Sequence, residues 1–241
     1  MRIAFDLDGV LADLHGAFRK AAIRRFAELD PTAMGSPDVG ASPPDSEEFV
    51  SEEPATPAPP ATTLPLTSDQ SAIVWRELSS THNFWETLDE IEPGMIKKLA
   101  ALAEERRWEL LFITSRPRAK GRTVQRQTQR WLEDKGFVMP SAYVVHGSRG
   151  QIAKALHIDV VVDDRPENCL DVVLDSKAGA ILVWRGSHHS VPASARRMGI
   201  AVVPTVAACL EALMAIERAD NGRGLLDRLR SFFGLRTTRT W

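Results

Sequence analysis

Short runs of Val, Ile, Leu and Ala, each followed by a segment of helical period, leave this chain few folds to choose from. The runs lie at 3–5, 110–114, 142–146, 158–162 and 180–184. Between them, Met95, Ile96, Leu99 and Leu102 recur at helical spacing behind Pro93, and a polar helix runs through Trp131 and Leu132 to stop at Gly136. Short helices are predicted over 151–156 and 166–174. Strands apolar on both faces that alternate with helices predict an α/β protein: a Rossmann-like parallel sheet with helices on both faces.

The remaining features bound the kind of molecule. With 241 residues, 44% of them apolar, the chain is long enough for one full core and a small second unit. A net charge of −2 gives no general electrostatic reason to bind a nucleic acid polymer. No run of about 18 apolar residues is present, so no transmembrane segment is predicted. Acids in the opening MRIAFDLDG displace the apolar stretch an export signal needs, and a cytoplasmic protein is expected. Cys169 and Cys209 have neither a disulfide framework nor metal-ligand spacing.

After the first strand a helical pattern runs through Leu11, Leu14, Phe18, Ala21, Phe26 and Leu29. Composition then shifts. Residues 31–66 hold nine of the fifteen prolines, six acids and no Lys or Arg, and are predicted to be a disordered or extended insertion. Thr67, Ser68 and Asp69 form an N-cap cluster ahead of Ile73, Val74, Trp75 and Leu78. The core is expected to occupy 1–14 and 93–217, with a helical unit at 15–92. Beyond it, 218–241 is basic and amphipathic, with Leu225, Leu226, Leu229, Phe232 and Phe233 beside Arg223, Arg228 and Arg230. Packing on its own domain is the expectation for this tail, and weak contact with a membrane surface or partner the alternative.

Ligand sites of open parallel sheets lie at the carboxyl ends of the strands. Here those ends carry Asp6 and Asp8 after the first run, Thr114, Ser115 and Arg116 after the second, and Asp163 and Asp164 after the run at 158–162. Four carboxylates converging on one edge repel unless a cation is present, and an oxygen-only donor set favours Mg²⁺ over zinc. A Mg²⁺ ion held by few carboxylates keeps positions open for water and phosphate, so the pattern points to Mg²⁺-dependent phosphoryl chemistry.

IAFDLDGVLAD resembles the first motif of the haloacid dehalogenase-like (HAD) superfamily, LLFITSRP its second, Lys154 its third and VVVDDRPEN its fourth, in the family's order. The resemblance implies Asp6 as nucleophile, Asp8 as general acid and base, and Mg²⁺ bound by Asp6, the Asp8 carbonyl and Asp164. It also implies Asp163 behind them, and a phosphoryl group held by Thr114, Ser115 and Lys154. Arg149, five residues before Lys154, competes for the third role. Dehalogenating members lack a second acid at the position of Asp8, so its presence favours a phosphatase. The length between the first and second motifs implies a small helical cap inserted after the first strand.

FITSRP and DDRPEN, with Phe84-Trp85 ahead of Pro93-Gly94, resemble the 5′(3′)-deoxyribonucleotidase branch. That resemblance implies a nucleoside monophosphate substrate, with Phe84 and Trp85 against the base and Arg116 also contacting substrate. Two departures stand against it: the insertion at 31–66, and the loop carrying His188 and His189 after the run at 180–184. The alternatives are a phosphatase for another small phosphometabolite and a scaffold or regulatory protein that uses the fold without turnover.

Overall fold

The computed structural model describes residues 1–26, 66–187, 190–218 and 224–234. Apart from Leu66, the insertion predicted at 31–66 lies outside the described residues, as do His188 and His189.

Six parallel strands form one sheet: β1 (Arg2–Phe5), β2 (Glu109–Thr114), β3 (Ser141–Val144), β4 (Val160–Asp163), β5 (Gly179–Val183) and β6 (Ala201–Val203), in the order β3-β2-β1-β4-β5-β6. The chain builds outward from β1 to β3, then returns to the opposite side of β1 with β4. This reversal opens a crevice between the carboxyl ends of β1 and β4, where ligands bind in such sheets. A hydrogen bond from Asp6 N to Val162 O (2.8 Å) holds the two ends side by side.

The two-residue period of the strands divides the core. Ile3, Phe5, Phe112, Val160, Val162, Ile181 and Val183 meet one apolar cluster, and Ala4, Leu111, Ile113, Val161, Ala180 and Leu182 meet the other. The first face is covered by α3 (Met95–Arg106), α4 (Val124–Asp134) and α8 (Val206–Arg218), through Ile96, Leu99, Trp131, Leu210 and Leu213. Against the second lie α5 (Arg149–Ala155), α6 (Pro166–Asp175) and α7 (Ala193–Arg197), through Ala153, Cys169, Val172 and Ala195. Both cysteines are buried and free, and burial raises both thiols above their usual range, so neither is a ready nucleophile.

Between β1 and β2 the chain leaves the sheet as α1 (Leu14–Arg25) and returns through α2 (Ser68–Ser80). Thr67 and Gln70 form a reciprocal capping box at the start of α2. The two helices pack together through Phe18 and Trp75, with ring centres 5.4 Å apart, and through an Arg24–Glu77 ion pair. Exit and re-entry points are tied: Asp13 N donates to Asp89 O (2.9 Å) and Ile91 N to Leu11 O (2.9 Å). A 3₁₀ turn at Phe84–Glu86 seats this return on the core, with Trp85 N donating to Gln127 Oε1 (3.1 Å) and Trp131 Nε1 to Leu88 O (2.7 Å).

At the carboxyl end, α9 (Leu225–Phe232) packs on α8, burying Leu229 and passing a hydrogen bond from Arg228 to Ile216 O (3.2 Å). Among the described residues no helix is long and apolar enough to cross a membrane.

Candidate active site

Four carboxylates meet at the crevice. Asp6 and Asp163 are buried, and Asp8 and Asp164 are partly exposed. The turn after β1 makes room: Gly9 adopts φ +88°, and a Cβ there would stand 2.0 Å from Asp164 Oδ2. Only glycine lets the Asp6–Asp8 loop pass this close to the end of β4.

The charge balance is strained. Burial, then Asp163, raise Asp6 well above the ordinary carboxylate range, against the pull of Arg149. Burial also raises Asp163, opposed by Arg149 and by hydrogen bonds from Arg165 N (2.8 Å) and Asn168 Nδ2 (2.9 Å). Asp164 is pushed up to about 8 by burial and by Asp163, and its Oδ1 is buried with no hydrogen-bond partner. A cation would relieve all three. Among the described residues no three His, Cys, Asp or Glu side chains assemble a ready metal cage. The available donors, Asp6, Asp164 and the Asp8 carbonyl, suit Mg²⁺, which keeps most of its water and takes few protein ligands.

This predicts a pH-dependent metal effect on stability. A carboxyl with a folded pKa near 8 and an unfolded value near 4 contributes stability below pH about 4, which is lost as pH rises through 8. A Mg²⁺ ion would bind the ionised form. At one fixed concentration, about 100-fold over its Kd at pH 8, it should therefore raise Tm by about 5 °C or more at pH 8 and clearly less at pH 5, where protonation weakens binding. Thermal melts with Mg²⁺ or EDTA, using Asp164→Asn as control, check this; equal shifts at both pH values would contradict it.

Positive charge reaches the crevice from Arg149. It opens α5 behind the Ser148 N-cap, is 6% exposed, and places one guanidinium nitrogen 3.1 Å from Asp6 Oδ1 and Nε 3.8 Å from Asp163 Oδ2. Lys154, expected in this role, is exposed in the last turn of the same helix. The reason is helix direction. In a β-helix-β unit the helix starts at the carboxyl edge of the sheet, and five residues carry the chain about 7.5 Å along the axis toward the opposite edge.

The end of β2 brings three further residues. Thr114 is 1% exposed and its hydroxyl donates to Asp8 Oδ2 (3.1 Å), while Ser115 is exposed with its oxygen 2.8 Å from His146 Nδ1. Arg116, expected to touch substrate, is instead 1% exposed and turned inward: Nε donates to Asp8 Oδ2 (2.8 Å) and a terminal nitrogen to Asp8 Oδ1 (2.7 Å). Phe84 and Trp85, expected to stack on a base, are 3% and 1% exposed. The Trp85 ring lies 4.7 Å from the Arg116 guanidinium carbon and its Nε1 donates to Pro117 O (3.2 Å), so its apolar surface is already used.

Sequence reasoning missed Arg185. It donates to Gly9 O and Val10 O and pairs with Glu92 at 3.0 Å, and Glu92 in turn accepts from Val206 N and Ala207 N at the start of α8. It thus braces the Asp6–Asp8 loop from the far side of the crevice. Its only signal in the sequence was its place just after β5.

No known protein-family model and no curated protein matches the chain. Solved structures do. A HAD family hydrolase from Deinococcus radiodurans, which holds phosphate and sodium, superposes with a TM-score of 0.52 at 20% identity, covering 89% of this chain and 94% of the other. Haloacid dehalogenase-like family hydrolases from Streptococcus pneumoniae and Xanthomonas campestris superpose with TM-scores of 0.51 and 0.51, at 14% and 15% identity, over 88% and 92% of this chain and 97% and 98% of theirs. Sheet order, the crevice between β1 and β4, and these superpositions together give the chain a haloacid dehalogenase-like α/β fold.

Proposed function

We propose that the chain is a Mg²⁺-dependent phosphomonoesterase working through an aspartyl-phosphate on Asp6. The observation that carries this reading is the buried acidic cluster at the β1–β4 crevice, with Arg149 on the Asp6 carboxylate and an unpartnered oxygen on Asp164. Asp6 attacks phosphorus; the bond to the ester oxygen breaks as Asp8 gives that oxygen a proton, and the alcohol leaves. Asp8, now ionised, then takes a proton from the water that opens the intermediate. Arg149 offsets charge on Asp6, and Thr114 and Ser115 line the phosphoryl end. The chemistry supplied by a bound Mg²⁺ is screening of the approaching phosphate dianion from Asp6.

The substrate class we infer is nucleoside monophosphates, supported by the wording of FITSRP and DDRPEN. The burial of Phe84 and Trp85 removes the base-stacking argument and favours a second reading, another small phosphate ester. The insertion of α1 and α2 between the first two strands is consistent with a small cap over the crevice in either case. Phosphate release from a panel of nucleoside and sugar monophosphates decides between them. Nucleotide substrates should lead by about tenfold or more in kcat/KM; a sugar phosphate preferred over every nucleotide would transfer the assignment to the second reading.

A further inference from the structure

The least expected feature of the site is the treatment of Asp8. A carboxylate accepts about four hydrogen bonds. Here three are taken: Thr114 Oγ1 and Arg116 Nε on Oδ2, and a terminal Arg116 nitrogen on Oδ1. One acceptor position is left, on Oδ1. The Arg116 side chain has no exposed surface and that of Asp8 keeps 13%, so the pair is closed on the arginine side and open only at the carboxylate.

Arg116 is itself immobilised. Its third donor goes to Thr128 Oγ1 (3.0 Å), and its guanidinium carbon lies 4.7 Å from the Trp85 ring centre and 5.9 Å from that of Trp131. A two-point fork, held from behind by a hydroxyl and two rings, fixes the plane of the carboxylate as well as its position.

We infer that Arg116 is a positioning residue for the second half of the reaction: it holds Asp8 with one Oδ1 lone pair presented to the water that hydrolyses the aspartyl-phosphate. The inference rests on the aspartyl-phosphate reading above. In the step, the water oxygen bonds to phosphorus and its proton passes to Asp8 Oδ1. The phosphorus–oxygen bond to Asp6 breaks, its electron pair returns to the Asp6 carboxylate, and inorganic phosphate leaves. A carboxylate free to rotate would meet that water in the required geometry only part of the time.

The test uses p-nitrophenyl phosphate with the full chain and Mg²⁺, because p-nitrophenolate leaves without a proton and only the second half then needs Asp8. Lysine keeps the charge but not the fork. Arg116→Lys should lower kcat by about 30-fold and change kcat/KM by less than about threefold, and stopped flow should show a burst of about one p-nitrophenolate per active site. Thr128→Val, which loosens Arg116 without touching Asp8, should show the same split at about fivefold. If kcat and kcat/KM fall together without a burst, or neither changes, the inference is overturned. Should Arg116→Lys fail to melt cooperatively, Thr128→Val decides by the same criterion. A wild-type protein that turns over no phosphate ester would take down the phosphatase reading and this assignment with it, whereas active wild type with no split in the variants removes this assignment alone.

Discussion

Asp6→Asn is expected to abolish phosphatase turnover, by roughly 10⁴-fold or more, while leaving the protein folded. Asparagine matches aspartate in shape, so the β1 strand and the bond from the residue 6 amide to Val162 O persist. What disappears is the nucleophile, since an amide oxygen does not form the covalent intermediate. Stability should not fall with activity. Asp6 is buried beside Asp163, Asp164 and Asp8, all of which raise its pKa, with Arg149 the compensating charge. Neutralising it removes several repulsions and one attraction, so in metal-free buffer Tm should hold or rise. Steady-state assays and melts on protein shown by mass to be free of deamidated chain check both halves. Activity within about 100-fold of wild type would remove Asp6 from the reaction.

The second large effect separates two cations five residues apart. Arg149→Met is expected to lower kcat/KM by about 10²- to 10³-fold, whereas Lys154→Met stays within about threefold. Arg149 is buried against Asp6 and Asp163, so its removal leaves two enclosed carboxylates without their counter-charge; Lys154 is solvated at the far end of α5. Because the Arg149 variant will also be less stable, the assay belongs well below its measured Tm. Equal losses in both variants, or a larger loss from Lys154, would contradict the placement of α5.

Much of the architecture was legible in the residues. Strands apolar on both faces announce a parallel sheet, and Asp6, Asp8, Asp163 and Asp164 stand out because they break off apolar runs at the carboxyl ends of strands, where ligand sites of such sheets lie. Strand β6 and helix α7 are not legible as elements: β6 lacks the acid-and-glycine turn that marks the equally short run at 3–5, and the five residues of α7 are too few for a helical period to show. Lys154 is preferred to Arg149 from sequence because an arginine opening a helix is more often a surface residue; here the helix-opening arginine is the buried one and Lys154 is exposed. The helix begins at Arg149, which sets that side chain in the first turn, at the carboxyl edge of the sheet. Arg116 and Trp85 show a different limit. Pattern places both near the crevice, but which way each side chain turns depends on partners remote in sequence, here Asp8 for Arg116 and the Pro117 carbonyl for Trp85. An arginine among strand-end residues reads as a phosphate or substrate contact until its three hydrogen bonds, two to Asp8 and one to Thr128, are seen.

Direct observation of the phosphoryl group on Asp6 tests the central claim. The protein is mixed with excess substrate and Mg²⁺, quenched in acid within the first turnover, digested and sequenced by mass spectrometry. A peptide spanning 3–19 that carries one phosphoryl group on the Asp6 side chain, and is absent from Asp6→Asn, is the predicted result. Phosphate release at full rate with Asp6 unmodified throughout the time course would contradict the account.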